Sequence, residues 1–371
     1  MFTTLVKTML VVLPLAATAT VAQNNDPYNA LIWNRDNALA GNGQVDRRDW
    51  FEWWYYKIVD PDTHDAFLFT YGVTDPWDSG ATLPGTAAVV EAGDIKSHAL
   101  ALQKFPVGQF QAAYNRTAVN IAGNTATDKQ IQGHVVANGH DISWNISFSR
   151  KWRFPAMGWA MYVPNISGIY WYPAQASAEA DGWVQVDGTV HTLNQAPAYQ
   201  DRNWGQSFPE WWTWLVSNHF ENSPETTLAA GGGEPKILNS VYLLSGLCIG
   251  LKYAGKKYIF RTTDMDYVNF IINWGTWSVV AENGHGQRIE ISAYAPPDQF
   301  LLLPFISPRA QTFYDYEALL GKMTVKLYER ASPFASWQPV TVLNTTEAGI
   351  EWGSPKPNSI AELFSSTSQF Q

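Results

Sequence analysis

Apolar and polar residues alternate along most of this chain with the period of two that is typical of β-strands. Two-residue turns repeatedly separate the apolar stretches, namely Asn138-Gly139, Asp187-Gly188 and Ala254-Gly255, and such turns indicate β-hairpins. Helical periodicity is scarce, and its best short candidate spans 309–321. Small and polar residues fill 221–236, which we expect to form a long surface loop. The pattern predicts an all-β protein of the sandwich or barrel type.

The length of the chain favours two such domains. A chain of 371 residues is long for one hydrophobic core and suits two domains of ordinary size. We expect an N-terminal β domain over 27–205, a C-terminal β domain over 206–350 and a weakly ordered tail over 351–371. Residues 1–22 combine Lys7 with an apolar run and small residues, which is the layout of a signal peptide.

Glycosylation motifs are consistent with a secretory compartment. Asn115, Asn145, Asn165 and Asn344 each begin an Asn-x-Ser/Thr triplet. Several such triplets arise by chance in a chain of this length, but together with a signal peptide they indicate a glycoprotein of the secretory pathway, or a secreted one. No later segment is apolar for the roughly 20 residues that a membrane span needs, so we expect no span. The single cysteine, Cys248, rules out an internal disulfide and is expected to be an inert core residue.

Composition excludes some partners and points to an aromatic interior. Charged residues make up 15% of the chain and hydrophobic residues 46%, which argues against disorder. A net charge of −9 gives a nucleic-acid backbone nothing to bind, so nucleic acid is excluded as a partner. The chain contains 18 tryptophans, far above ordinary usage. Large rings need burial or a ligand, so either the core or a cavity is unusually aromatic.

Signatures of several enzyme classes do not occur in the sequence. There is no nucleophile elbow, no zinc-protease helix motif, no P-loop and no dinucleotide fingerprint after a strand. The 7 histidines lack metal-ligand spacing, and a lone histidine on a strand is more often a hydrogen-bonded structural residue than a ligand. We therefore expect neither a metal nor a redox cofactor.

An acidic and aromatic cluster lies at 49–57, with the sequence DWFEWWYYK. As a strand, it places Glu52, Trp54 and Tyr56 on one face. Two interpretations of Glu52 remain open. It forms a salt bridge with a nearby arginine, or it is desolvated between rings, in which case its pKa rises and it can donate a proton.

A second cluster spans 199–220. In an extended conformation Asp201 and Asn203 share a face, and Arg202 and Trp204 lie on the other. In the strand that follows, Trp212, Trp214 and Asn218 line one side, and the opposite side is bulky too, so we expect this segment to be central. Asp201 with Arg202 is either a buried structural pair or part of a site.

Both clusters carry a family resemblance. The motifs FEWWYYK, MGWAMYVP, DGWVQVDG and the blocks 196–220 and 242–262 follow in an order that spans most of the chain after residue 50. They resemble the tocopherol cyclase family and its relatives, the carotenoid hydratases and the fungal Diels–Alder-type cyclases. The resemblance implies two lipocalin-like antiparallel β-barrel or sandwich domains with a hydrophobic cavity at or near their junction. It also implies cofactor-free chemistry on a hydrophobic small molecule, a terpenoid or polyketide.

The resemblance further implies roles for the residues of both clusters. Asp201 matches the position of an acid that protonates the substrate in the carotenoid hydratases. Catalytic roles are expected for Asp201, Glu52, Tyr56, Arg202 and Asn203, and substrate-binding roles for Trp54, Trp204, Trp212, Trp214 and Asn218.

The signal peptide and glycosylation motifs are similar to those of secreted fungal hetero-Diels–Alderases. They favour dehydration to a quinone methide followed by [4+2] cycloaddition with a terpene alkene. The alternative is a non-catalytic lipid or terpenoid carrier of the lipocalin type, because an apolar cavity serves transport equally well. A glycoside hydrolase is a third class, and the scarcity of paired carboxylates in the aromatic segments argues against it.

Overall fold

We analysed a computed structural model of the chain. It describes residues 26, 28–32, 50–76, 87–237, 241–242, 245–273, 275–308 and 310–357. The expected signal peptide lies outside the described residues.

Antiparallel strands from the first half of the chain form one large sheet. Its strands are β1 (Phe51–Val59), β2 (Ala66–Thr74), β3 (Ala87–Asp94), β4 (Ala99–Phe105), β5 (Phe110–Ala112), β6 (Ala118–Ile121), β7 (Asn124–Thr127), β8 (Gln130–Ala137), β9 (His140–Trp152), β10 (Ile169–Val186) and β11 (Thr189–Gly205). They pair in the order β4-β3-β2-β1-β11-β10-β9-β8-β7-β6-β5. Because β4 also lies against β8 and β9, the sheet curls into a nearly closed barrel.

Strands from the second half form a second sheet. They are β12 (Trp212–Ser217), β13 (Thr227–Gly233), β16 (Gly246–Tyr253), β17 (Lys256–Arg261), β18 (Tyr267–Asn273), β19 (Thr276–Glu282), β20 (Gln287–Tyr294), β21 (Leu301–Ile306), β22 (Thr312–Glu329) and β23 (Gln338–Ser354), and β14 (Lys236–Ile237) and β15 (Val241–Tyr242) pair separately. The order is β17-β16-β13-β12-β23-β22-β20-β19-β18, with β21 beside β22. Its edges β17 and β18 touch, so this sheet also nearly closes.

Short 3₁₀ helices connect some of these strands, and the described residues contain no α-helix. The 3₁₀ helices are η1 (Val107–Gln109), η2 (Gly158–Tyr162), η3 (Thr262–Asp264) and η4 (Pro297–Gln299).

The predicted hairpin turns are confirmed. Asn138-Gly139 joins β8 to β9, Asp187-Gly188 joins β10 to β11, and Ala254-Gly255 joins β16 to β17. At the first of these turns φ is 54° at Asn138 and 86° at Gly139. Positive φ at both central residues matches the twist of the flanking strands, which is why an Asn-Gly pair fits there.

Three expectations from the sequence are wrong. The helix expected at 309–321 is absent, because residues 312–329 form strand β22. The loop expected at 221–236 contains the buried strand β13, in which Gly231 makes room for the Trp171 ring of the first barrel. The last strand continues to Ser354, four residues past the boundary expected at 350, so the first residues of the expected tail belong to the second sheet.

Separate hydrophobic clusters fill the two barrels, and a third cluster lies between them. Trp54, Phe69 and Trp144 are examples from the core of the first barrel, and Leu215 and Trp277 from that of the second. The cluster between the barrels includes Leu68, Phe154, Tyr199, Trp214 and Leu303. The outer faces of the two sheets are therefore packed against each other along this third cluster.

A bridging segment, residues 153–163, ties the barrels together. It leaves β9 of the first barrel and lies over η3 of the second. Arg261 holds it there, because its Nε donates to the carbonyl of Ala156 at 2.8 Å and its guanidinium donates to that of Pro155 at 2.8 Å. Trp159 adds a hydrogen bond from its indole Nε1 to the carbonyl of Thr263 at 2.9 Å.

Candidate active site

A cavity of about 470 Å³ lies between the two barrels and is walled by both. Strands β1, β2, β10 and β11 contribute one wall, and strands of the second sheet contribute the other. Aromatic rings dominate its lining: Trp53, Tyr55, Trp159, Trp171, Phe208, Trp212, Trp214 and Phe305. A cavity of this size and lining suits a mostly apolar small molecule.

Asp201 projects into this cavity from β11. Its Oδ2 accepts a hydrogen bond from the indole Nε1 of Trp171 at 2.7 Å and another from the hydroxyl of Tyr199 at 2.8 Å. Its Oδ1 lies 3.3 Å from Nδ2 of Asn203. Burial raises the pKa of Asp201 to about 7, against the opposing effect of the bonds from Trp171 and Tyr199, and the negative charge of Glu351 adds to the rise. A large fraction of Asp201 is therefore protonated at neutral pH.

Glu351 projects from β23 on the opposite wall. Its Oε1 accepts a hydrogen bond from the indole Nε1 of Trp212. Burial raises the pKa of Glu351 to about 7, although hydrogen bonds with Trp212 and Asp315 favour its ionised form. Burial, together with the charges of Glu351 and Glu317, raises the pKa of Asp315 well above its ordinary value. The neutral form of Asp315 is therefore favoured.

Glu317 belongs to β22 and lies directly opposite Glu351 in the pairing of β22 with β23. Its Oε1 accepts a hydrogen bond from the hydroxyl of Tyr55, which reaches across from β1 of the first barrel. Burial and the charge of Glu351 raise the pKa of Glu317, while the bond from Tyr55 opposes that rise. Glu317 is therefore mostly neutral, and its bond to Tyr55 joins the two walls.

Glu91 stands behind the first wall. It faces Thr70, a cavity-lining residue, across the β2–β3 pair. Glu91 is fully buried, and within the described residues neither of its carboxyl oxygens has a hydrogen-bond partner. Burial raises its pKa to about 7. A neutral carboxyl at this position costs far less than a carboxylate would.

Glycines of β13 give the cavity its width. A Cβ on Gly231 would lie 3.1 Å from the ring of Trp171, which belongs to the opposite barrel. Gly232 and Gly233 line the cavity beside it. Any larger side chain at Gly231 would push the Trp171 ring, whose N–H holds Asp201.

The bridging segment forms the mouth of the cavity. Trp159 lines the cavity and yet is 53% exposed, so it stands at the boundary with solvent. Met157 and Ala160 line the cavity beside it, and Thr262 and Thr263 face them from the second barrel. A segment that is fastened to the second barrel by hydrogen bonds therefore borders the cavity where it meets solvent.

Four of the residues predicted for the site line this cavity. They are Asp201, Asn203, Trp212 and Trp214. The predicted alternation of Asp201 and Asn203 with Arg202 and Trp204 is confirmed, because the second pair lies on the opposite face of β11. The predicted central position of the following strand is confirmed too, since β12 runs between β13 and β23.

The remaining predicted residues lie elsewhere. Glu52 forms a buried ion pair with Arg202, which is the salt-bridge alternative considered for it. Arg202 also lies 4.9 Å from the ring centroid of Trp54 and 5.0 Å from that of Trp204. Tyr56 belongs to the core of the first barrel. These side chains point away from the cavity, and Arg202 is the partner of Glu52 and not of Asp201.

Asn218 and the glycosylation positions complete the predicted set. The Asn218 amide donates to the carbonyl of Ala176 at 2.8 Å, between the barrels and outside the cavity lining. The side chains of the sequon asparagines are exposed: Asn115, Asn145, Asn165 and Asn344. Their glycosylation stays a prediction. Cys248 is buried in the cavity wall, and burial raises its pKa to about 12.

Two further observations concern metals and membranes. In the part of the chain that the structure describes, no group of three or more His, Cys, Asp or Glu side chains is arranged to hold a metal ion. Across the same residues, no helix has the length and hydropathy to cross a membrane.

Sequence reasoning missed the acids of the second wall, Asp315, Glu317 and Glu351. In TFYDYEALL the acids and Phe313 alternate with tyrosines at a period of two, which is a strand signal for 312–317. Glu351 falls in the expected tail, although Val340 and Val342 show the same period of two earlier in its strand.

Comparisons with known proteins agree with this architecture. A sequence profile described as tocopherol cyclase-like matches residues 122–354. A rice (Oryza sativa subsp. japonica) protein named probable tocopherol cyclase, chloroplastic, is 26% identical, over 67% of this chain and 64% of its own. The chloroplastic tocopherol cyclase of Zea mays is 26% identical, over 64% of this chain and 60% of its own. The chain thus matches less than two thirds of the length of these relatives.

A solved structure supports the fold. The crystal structure of CghA with Sch210972 has a TM-score of 0.51 and 12% identity, and the match covers 84% of this chain and 90% of that chain. The predicted fold class is confirmed: the chain consists of two lipocalin-like antiparallel β-barrels with a largely apolar cavity at their junction.

Proposed function

This chain belongs to the tocopherol cyclase-like family, and from that membership and its cavity we propose that it is a cofactor-independent cyclase of terpenoid or polyketide metabolism. The substrate is a phenolic alcohol that loses water to give a quinone methide. The quinone methide then undergoes [4+2] cycloaddition with a terpene alkene. The observation that carries the proposal is a carboxyl, Asp201, that is buried in an aromatic cavity and whose pKa burial raises to about 7.

Asp201 supplies the proton for the dehydration. Its Oδ2 already accepts bonds from Trp171 and Tyr199, so the proton resides on Oδ1, on the side of Asn203. Asp201 protonates the substrate hydroxyl, the carbon–oxygen bond breaks and water leaves. The Asn203 amide, beside Oδ1, orients that hydroxyl.

Aromatic rings assist both the loss of water and the cycloaddition that follows it. The faces of Trp53, Trp171 and Trp214 attract positive charge that develops as water leaves. Cycloaddition itself needs no proton, and the cavity accelerates it by holding diene and alkene in the reactive arrangement.

A carrier of apolar ligands is the alternative function. A carrier needs a cavity and has no use for buried acids, each of which costs free energy when desolvated. Asp201, Asp315, Glu317 and Glu351 all line the cavity, which favours the enzyme.

The test replaces the proposed acid with its near-isostere, Asp201→Asn. The probe is a 2-(hydroxymethyl)phenol with an apolar side chain, supplied with a terpene alkene. We expect single-turnover product formation to fall by about 10²- to 10⁴-fold, as is typical when a general acid is removed. The melting temperature should change little, because Trp171 and Tyr199 can donate to the amide oxygen.

The matched control is Asp141→Asn, the same chemical change at an exposed position of the first barrel. It should keep the wild-type rate. A full rate and a full melting temperature in Asp201→Asn would refute the acid role of Asp201. If Trp214→Ala abolished turnover and Asp201→Asn did not, the shape of the cavity would be the source of catalysis. Binding of the probe by the wild type without any product would favour the carrier.

A further inference from the structure

The two walls of the cavity hold a carboxyl in similar ways. On the first wall, Asp201 receives an indole N–H from Trp171 and a hydroxyl from Tyr199. On the second wall, Glu351 receives an indole N–H from Trp212, and the neighbouring Asp315 favours its ionised form. Both carboxyls line the cavity, and each belongs to a different barrel.

Dehydration of a phenolic alcohol needs a second proton transfer besides the one from Asp201. The departing hydroxyl takes up a proton, and the phenol must release its own proton for a neutral quinone methide to form. A base on the other side of the substrate would allow both transfers without a charged intermediate.

We propose that Glu351 is this base, a second catalytic carboxyl that accepts the phenolic proton from the wall opposite Asp201. The inference rests on the proposed function and assigns a further residue of the same site. Glu351 is suited to the role by its position in the cavity lining and by the indole N–H of Trp212, which favours its ionised form.

Two protons move during the dehydration. The Asp201 carboxyl gives its proton to the benzylic hydroxyl, and the carbon–oxygen bond breaks with its electron pair on the departing water. The phenol oxygen gives its proton to the Glu351 carboxylate, and its electrons form the carbonyl of the quinone methide. Glu351 then returns the proton to Asp201 after the product leaves, so the cycle neither takes up nor releases a proton.

The neighbouring acids are less suited to accept a proton. Glu317 and Asp315 have pKa values raised well above the ordinary range by burial and by the charge of Glu351, so they keep their own protons. Asp201 and Glu351 instead each have a pKa near 7, and the charge of Glu351 raises the pKa of Asp201. Ionisation of Glu351 therefore favours the protonated form of Asp201, as in other carboxyl pairs that divide acid and base roles.

The experiment isolates dehydration from cycloaddition. The same 2-(hydroxymethyl)phenol probe is incubated with the protein in heavy-oxygen water without any alkene, and exchange of the benzylic oxygen is followed by mass spectrometry. Reversible formation of the quinone methide exchanges that oxygen. In Glu351→Gln we expect the exchange rate to fall by about 10²-fold or more.

The pH dependence gives a readout that a structural role would not change. Wild-type exchange should fall at low pH, where Glu351 is protonated, and at high pH, where Asp201 is ionised. Glu351→Gln should lose the fall at low pH. The fall at high pH should move to lower pH, because the variant no longer raises the pKa of Asp201.

The matched control is Glu347→Gln, which makes the same change on the same strand at a buried carboxyl outside the cavity lining. It should keep the wild-type exchange rate per folded molecule. Wild-type exchange no faster than in buffer would overturn the proposed dehydration and this assignment with it. Fast wild-type exchange that Glu351→Gln retains, with the same pH profile, would overturn the role of Glu351 alone and leave the proposed function standing.

Discussion

Replacement of Glu91 by glutamine should stabilise the protein at alkaline pH and leave it unchanged in acid. Glu91 is fully buried behind Thr70, and its oxygens have no hydrogen-bond partner within the described residues. Burial raises its pKa from 4.5 to about 7. Glutamine has nearly the same shape and cannot ionise, so Glu91→Gln removes the charge without opening a void.

The pH range and the magnitude follow from this shift in pKa. Below 4.5 both the folded and the unfolded chain hold the proton, and the stabilising effect of the neutral group is fully present. Between 4.5 and about 7 the unfolded chain releases a proton that the folded chain retains. Stability then falls by about 1.4 kcal/mol per pH unit, which amounts to about 3 kcal/mol once pH passes 7. Glu91→Gln should therefore be about 3 kcal/mol more stable than wild type at pH 8.

Thermal melting of both proteins between pH 4.5 and 8 measures this difference. The gap in melting temperature should open from near zero in acid to several degrees at pH 8. Glu347→Gln is a control of opposite sign. Burial would raise the pKa of Glu347, but hydrogen bonds from His219 and Thr346 outweigh it and hold the pKa below its ordinary value. That variant should be less stable than wild type at pH 8. Equal melting of Glu91→Gln and wild type at pH 8 would refute the reasoning.

Two further predictions concern other parts of the molecule. Glu52→Gln removes the carboxylate that forms an ion pair with the buried Arg202 guanidinium, so the free energy of unfolding should fall by about 3 to 5 kcal/mol, and an unchanged melting temperature would contradict this. Because the sequon asparagines are exposed, protein secreted from a eukaryotic host should lose apparent mass in steps on enzymatic deglycosylation. A single band that does not shift would argue against a glycoprotein.

Local signals predicted the parts of the fold that depend on neighbours in the sequence. The turn at Asn138-Gly139 needs positive φ at both residues, and few residue pairs other than Asn-Gly adopt it easily. Alternation in β11 placed Asp201 and Arg202 on opposite faces. The strand at 227–233 could not be recognised from its run of glycines, because Gly231 is required by the ring of Trp171, which is distant in sequence.

Of the two walls of the site, only one could be predicted from the sequence. The wall from the first barrel could be recognised because Asp201 stands in a distinctive motif among tryptophans. The wall from the second barrel could not, since Glu317 and Glu351 are ordinary acids in their local sequence. Their pKa values rise because both are buried between the barrels, and that of Glu317 rises further because β22 and β23 place it beside Glu351. A raised pKa of this kind arises when segments that are distant in sequence pack together, so the sequence of either segment alone gives little sign of it.

The barrels are each continuous in sequence, and this has a consequence for biosynthesis. The last strand of the first sheet to be synthesised is β11, which pairs with β1, so the first barrel can be complete before β12 has left the ribosome. Until the second barrel docks, Trp53, Tyr55 and Trp171 present an aromatic surface to solvent. Newly made chains should therefore pass through a stage that attracts chaperones, and a chain truncated after residue 205 should be folded but prone to self-association.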